Sequence, residues 1–247
     1  LARAPIPALE PGERRLEGAV GHYLARVLRL RAGDSFRAFD PASGHEADAV
    51  IVRTGRDATE VRFGPLREGR TQALRSVTWI QGLAKGDKCD AVVRDATELG
   101  ATRVIMAKTR RTVVKLDRLR ADARQARWAR IAEQAARQCG RSEAPIVDPP
   151  GTWEEVLARI GDEHSRFCLW ERATEPLGPR LFEALAGEGP LAIACGAEGG
   201  LDDAEIAAAR ASGWMIASLG QFTLRTETVA GAVLGAVRVW DGMFDQG

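Results

Sequence analysis

The sequence predicts an α/β protein in which a mainly parallel sheet follows a small β-rich unit. Three observations carry this. From residue 77 onward, short apolar runs alternate with helical stretches, as strands buried between helices require. Over roughly the first 70 residues the apolar positions instead alternate with polar ones in short segments separated by turn signals. Finally, 247 residues with 45% hydrophobic content can bury a sizeable core, which excludes a disordered chain.

In order along the chain, GHYLARVLRL (21–30) predicts a helix with Leu24, Val27 and Leu28 on one face and Arg26 and Arg29 towards another. SFRAFD (35–40), HEADAVIVR (45–53) and ATEVRFG (58–64) predict strands, divided by Asp-Pro, Ser-Gly and Thr-Gly-Arg-Asp turns. PLREGRTQALRS (65–76) has the composition of a linker, which places the domains at 1–72 and 73–247. Strands are expected at VTWIQGL (77–83), RVIMAK (103–108), FCLW (167–170), LAIAC (191–195) and WMIAS (214–218). The helices between them fall near 86–99, within 116–139, and at 178–186, 202–211 and 226–240.

Charge is informative only when divided. The net charge is +1, but residues 1–75 carry +3, 76–150 carry +6 and 151–247 carry −8. Within 103–130 ten basic residues face two acidic ones. Such a stripe is either the footprint of a polyanion, whose counterions it would release, or a solvated helix face. Arg supplies 31 of the 35 basic residues and suits bidentate phosphate contact. Four scattered cysteines and three histidines show no metal-ligand spacing, so reduced thiols and no metal are expected. No run long enough to cross a bilayer occurs, and LARAPIPALEPGERR lacks the apolar stretch of a signal peptide, so a cytoplasmic protein is expected.

Three local features carry chemistry. LAIACGAEGGLDDAEIAAAR (191–210) runs from an apolar strand through Gly196, Gly199 and Gly200 into a helix with Asp202 or Asp203 at its N-cap. Those glycines allow positive φ and close approach of a ligand's polar edge to the backbone. The turn has neither the Lys-Ser/Thr of a phosphate loop nor GxGxxG spacing, and Glu198 would repel a phosphate. In SLGQFTLRTETVAGAVLGAVRVW (218–240), Thr226 or Thr228 is a candidate cap, and Gly231 and Gly235 suggest tight packing against another helix or chain. Arg225 is either paired with Glu227 or a functional cation. Thirdly, the helix RWARIAEQAARQCGRS (127–142) ends at Gly140, a natural C′ residue, leaving Gln138, Arg141 and Ser142 at its end.

These segments, with RVLRLRAGD after His22, KGDKCDAVVRDATELGATRV (85–104) and TRRTVVKLD (109–117), occur in one order across nearly the whole chain. In that order they resemble the RsmE-type methyltransferases, which act on uridine N3 of 16S ribosomal RNA in the small (30S) subunit. The resemblance implies a PUA-like N-terminal β-barrel, a C-terminal SPOUT domain with a deep trefoil knot, and a homodimer. It implies S-adenosylmethionine as cofactor, no metal, and rRNA or the assembled 30S subunit as partner. The cofactor pocket would use Leu169, Trp170, Cys195, Gly196, Glu198, Gly199, Gly200, Ser218, Leu219, Gly220, Leu224, Arg225 and Thr226. RNA would meet His22, Arg26, Arg29, Arg111, Lys115, Gln138 and Arg141. Arg225 or backbone N–H groups would stabilise the uracil anion, with Glu227 or water taking the N3 proton. Ala197 replaces a usual Pro, Asp95 a common Lys and Glu143 a frequent basic residue. The last two put negative charge on an expected RNA face. They leave open a relative that binds RNA or the cofactor without this methylation, or that methylates a different base.

Overall fold

A computed structural model of the chain describes residues 2–40, 42–55, 58–69, 75–112, 118–141 and 143–242. It forms two compact units, Leu1–Thr71 with Ala136–Ala144, and Gln72–Ala135 with Pro145–Gly247.

In the first unit, β1 (Ala2–Pro5), β2 (Gly12–Glu17) and helix α1 (Gly18–His22) precede a π-helical turn, Tyr23–Val27, and strands β3 (Ser35–Phe39), β4 (His45–Thr54), β5 (Ala58–Phe63) and β6 (Arg67–Glu68). The strand order is β1-β3-β4-β5-β2, with β6 beside β4. Only β1 and β3 run parallel. Alternate side chains of β3, β4 and β5, among them Phe36, Ala38, Ala49, Ile51, Val61 and Phe63, enter one core with Ala4, Leu16 and Leu24. Edge strands β1 and β2 are not paired with each other among the described residues, so the ladder does not close into a barrel there.

The helix expected at 21–30 starts earlier and widens. The Leu28 N–H donates to the Tyr23 carbonyl, five residues back, at 2.9 Å. This wider turn shifts the helical phase. Leu24 stays buried, but Val27 is 60% exposed and off the face assigned to it. Arg29 follows in the left-handed region at φ 54°.

In the second unit every sheet pairing is parallel. In chain order come β7 (Val77–Gly82), α2 (Lys88–Glu98), β8 (Arg103–Lys108), α3 (Arg118–Cys139), β9 (Ile146–Val147), β10 (Gly151–Thr152) and α4 (Trp153–Leu157). They are followed by β11 (Ser165–Leu169), α5 (Leu177–Leu185), β12 (Leu191–Cys195), α6 (Asp203–Ala211), β13 (Met215–Ala217) and α7 (Thr226–Gly242). β7 and β12 are buried at every position, as central parallel strands with both faces covered must be. The sheet order is β10-β8-β7-β12-β11-β13, with β9 also on β8. The chain therefore leaves β11 to place β12 on one side of it and β13 on the other. Such a reversal opens a crevice at the carboxyl ends of the strands, here around Leu169 and Trp170.

Two helices start on capping boxes. Thr152 and Glu155 close one on α4; Asp202 and Glu205 close the other on α6, so Asp202 rather than Asp203 is the cap. α3 ends as expected at Gly140 (φ 90°), where the Arg141 N–H reaches back to the Ala136 carbonyl at 2.9 Å. Cys89, Cys168 and Cys195 are buried free thiols, and Cys139 is free and exposed. Burial pushes the Cys168 thiol far above its ordinary range and raises Cys195 to about 12, so both stay protonated. No described helix is long and apolar enough to cross a membrane, and the described residues hold no group of His, Cys, Asp and Glu fit for a metal ion.

Candidate functional site

At the carboxyl ends of β11, β12 and β13 lies a cleft of about 450 Å³, lined by Leu169 to Glu171, Cys195 to Leu201, Leu219 to Thr226, Lys88 and Val229. Twelve of the thirteen residues expected to hold the cofactor lie along it. Ser218 does not: its backbone N–H bonds the Glu175 carbonyl at 2.8 Å, and its own carbonyl accepts from Leu177 at 2.9 Å. That pairing fixes where the 218–226 segment departs from β13.

The glycine turn is tight for a steric reason. A Cβ on Gly196 would stand 2.9 Å from the Gly200 carbonyl carbon, and Gly200 has φ +68°. A Cβ on Gly82, at the end of β7, would overlap the backbone of Ala197 and Gly196. Gly82 is thus as necessary as the turn's own glycines. Glu198 holds the turn from outside, accepting the Lys85 N–H at 3.1 Å and the Lys88 ammonium at 3.0 Å. Partial burial pulls its pKa upward, but its own backbone N–H, Lys88 and the Lys85 N–H outweigh that and leave it below the ordinary value.

Beneath the turn sits a residue the sequence reading missed. Gln81 is fully buried, and its Nε2 donates to Thr226 Oγ1 (2.6 Å), to the Gly196 carbonyl (3.2 Å) and to the Gly82 carbonyl (3.1 Å). Its Oε1 accepts from Trp79 Nε1 at 3.2 Å and Cys195 Sγ at 3.3 Å. The Thr226 hydroxyl in turn donates a hydrogen bond to the Gly196 carbonyl at 2.8 Å. Thr226 therefore spends its side chain tying α7 to the turn, not capping the helix. The available signal was an amide side chain at an otherwise apolar strand end.

One of the two alternatives at Arg225 falls away. No ion pair joins it to Glu227, and among the described residues its exposed side chain has no partner. Glu227 does not line the cleft, and its buried Oε2 has no partner among the described residues. Among the described residues nothing outside the helix's own backbone meets Gly231 or Gly235: a Cβ on either has no such atom within 4 Å. Asp95 pairs with its neighbour Arg94 at 2.8 Å, which offsets part of its charge.

The expected RNA contacts are divided. Arg111 donates to the Gly199 carbonyl at 2.9 Å and so belongs beside the cleft. His22, Arg26 and Arg29 are exposed together on the first unit, where Gln138 is also exposed and Arg141 half-buried. His22 and Arg26 border a hollow of about 220 Å³ over Gly21 and Thr59. Lys115 and Ser142 lie outside the described residues.

Comparison with known proteins bears on this arrangement. The RNA methyltransferase domain model matches residues 71–238, and the RNA methyltransferase PUA domain model matches 16–63. The chain belongs to the RsmE-type methyltransferase family. Its relatives include the ribosomal RNA small subunit methyltransferase E of Mycobacterium bovis, 31% identical over 93% of this chain and 87% of that one. The Bacillus subtilis protein of the same name is 29% identical over 90% and 88%. The Neisseria gonorrhoeae enzyme, solved bound to S-adenosyl methionine, superposes with a TM-score of 0.85 at 26% identity over 97% of both chains. The PUA match covers α1 and strands β3 to β5 of the first unit.

Proposed function

We propose that this chain is a cytoplasmic S-adenosylmethionine-dependent methyltransferase of small-subunit ribosomal RNA, acting on N3 of a uridine. The observation that carries the reading is the strand-end cleft lined by both the glycine turn and Arg225. The Neisseria relative binds the same cofactor.

The residues fit such a cofactor. The cleft's volume is that of a small-molecule site. Leu169, Leu219, Leu224 and Val229 supply apolar walls, the glycine turn admits close backbone approach, and the lining Trp170 holds a buried indole N–H that has no partner among the described residues. When bound, S-adenosylmethionine supplies an electrophilic methyl on a sulfonium centre. The chain's task is then alignment and charge stabilisation. The Arg225 guanidinium holds the negative charge that spreads over uracil O2 and O4 as N3 loses its proton. Because Glu227 is absent from the lining, the proton passes to water. A uridine must be unpaired or flipped out to reach the cleft, and the exposed cations of the first unit suit phosphate contacts to the RNA backbone.

Two further parts of the reading are proposals. The 218–226 segment is tied to Glu175 and Leu177 at one end and to Gly196 and Gln81 at the other, which supports a knotted path. The open face of α7, with Gly231, Gly235 and a 69% exposed Val239, supports a homodimer, to be read by light scattering.

The direct test incubates the protein with S-adenosylmethionine and undermethylated 30S subunits and maps modified nucleosides by mass spectrometry. N3-methyluridine is the expected product. Tight cofactor binding without it would favour a relative altered in target base or activity.

A further inference from the structure

The polar cluster under the cleft links two functional parts of its lining, and one buried side chain bonds to both. Gln81 reaches both from β7: the first carbonyl of the glycine turn, at Gly196, and the hydroxyl of Thr226, the residue next to Arg225. Those two groups also bond each other, closing a triangle of Gln81, Gly196 and Thr226. We infer that Gln81 is a positioning residue that sets Arg225 against the cofactor turn; this rests on the proposed methyltransferase reading.

The geometry favours this over a general contribution to packing. Arg225 is exposed and has no side-chain partner among the described residues, so its placement depends on its own backbone. That backbone is pinned on the helix side, where the Arg225 carbonyl accepts the N–H groups of Thr228 (2.9 Å) and Val229 (3.1 Å). Its next anchor is the Thr226 side chain, held between Gln81 and Gly196. On the other side runs Leu219 to Leu224, which is exposed throughout, with Gly220 at φ +113°. The position of the cation is thus determined from one side, through one hydroxyl.

The carboxamide suits the task because it is bifunctional. Its Oε1 is engaged by two donors, Trp79 Nε1 and the Cys195 thiol, which fixes the plane of the amide and aims Nε2 at the joint. Nε2 thus points towards Thr226 and Gly196 without any choice of flip, because only an acceptor satisfies Trp79. A side chain of similar length without these groups would fill the space and leave the triangle as one bond.

The test uses the full chain with Gln81→Met, alone and combined with Arg225→Ala. Methyl transfer to 30S subunits is measured at saturating S-adenosylmethionine and corrected for the folded fraction from thermal unfolding. A positioning role predicts a loss of kcat of tenfold or more for Gln81→Met, with cofactor Kd rising no more than about threefold. It further predicts that Gln81→Met adds almost nothing on top of Arg225→Ala, because both act through one group. A merely structural role predicts an unchanged kcat per folded, saturated enzyme, or losses that multiply in the double variant; either result overturns the inference.

A second readout needs no reaction. In hydrogen exchange of the free protein, Gln81→Met should speed exchange in peptides covering 195–200 and 224–229 and leave those of β8 and α6 unchanged. Unchanged exchange at both segments overturns the inference. If the wild type transfers no methyl group, the methyltransferase reading fails, and the exchange result still decides whether Gln81 holds the joint.

Discussion

The two units build their sites by opposite means. In the second unit the cleft is shaped by backbone, a glycine turn and the ends of parallel strands tied together by a buried carboxamide, with apolar side chains completing its walls. In the first unit the candidate RNA face is made of side chains, with His22, Arg26 and Arg29 displayed on a helix and turn over a closed core. The difference concerns tolerance. A backbone site fails when one extra atom intrudes, because nothing can rotate away. A side-chain site loses its contributions one at a time.

The most severe way to break the comparison is Gly82→Ala. Its methyl group would overlap the backbone of Ala197 and Gly196, so the turn must move as a whole. Overpacking of this kind costs about 3 kcal/mol. Urea unfolding should show that loss, and calorimetry should find no measurable S-adenosylmethionine binding. Near-normal binding would mean that the turn yields readily and that the cleft is not a rigid backbone site.

Arg225→Ala sharpens the comparison, because it removes a side chain from the backbone-built site. With no partner to lose among the described residues, the fold should be stable to within about 0.5 kcal/mol of wild type, whereas methyl transfer should fall about a hundred- to a thousandfold, as for loss of an oxyanion donor. Cofactor binding by calorimetry should persist. A weaker effect is expected where the turn enters α6. Asp202→Ala removes the N-cap bond to the Glu205 N–H, 2.8 Å, and should cost about 1 kcal/mol of stability in chemical denaturation.

What could be read in advance follows the same division. The strand and turn at 191–203 were legible because glycine spacing and an N-cap are local, chemically determined signals. The parallel sheet was legible because strands buried on both faces, such as Leu191–Cys195, need uninterrupted apolar runs. Gln81 and Gly82 were not, since their importance depends on β12 lying beside β7, a neighbour more than a hundred residues away. β2 was missed because GERRLE has one apolar residue, Leu16; its ladder with β5, not propensity, makes it a strand. β1 and β6 are edge segments of four and two residues with the same difficulty. Val27 was misplaced because a π-helical turn changes the period on which helical-face assignments depend. Gly231 and Gly235 suggested tight packing against another helix or chain, and among the described residues no such packing partner meets them.

The smallest effect is expected in the first unit, at Arg29, and it separates the two kinds of site most cleanly. Arg29 holds φ 54°, a conformation that costs an L-residue roughly 1–2 kcal/mol and that glycine adopts freely. Arg29→Gly therefore relieves strain in the folded state while loosening the unfolded chain by a comparable amount. Stability should stay within about 1 kcal/mol of wild type. If Arg29 is displayed for RNA, the same change removes one phosphate contact. The slope of log K against log salt for a single-stranded rRNA fragment should then fall by about 0.7, with roughly fourfold weaker binding near physiological salt. Kd for S-adenosylmethionine should not move. An unchanged salt slope would show that this strained arginine serves the turn between the π-helical segment and β3, and that the first unit meets RNA elsewhere. A shift in cofactor affinity would show that the two units do not divide the labour as their construction suggests.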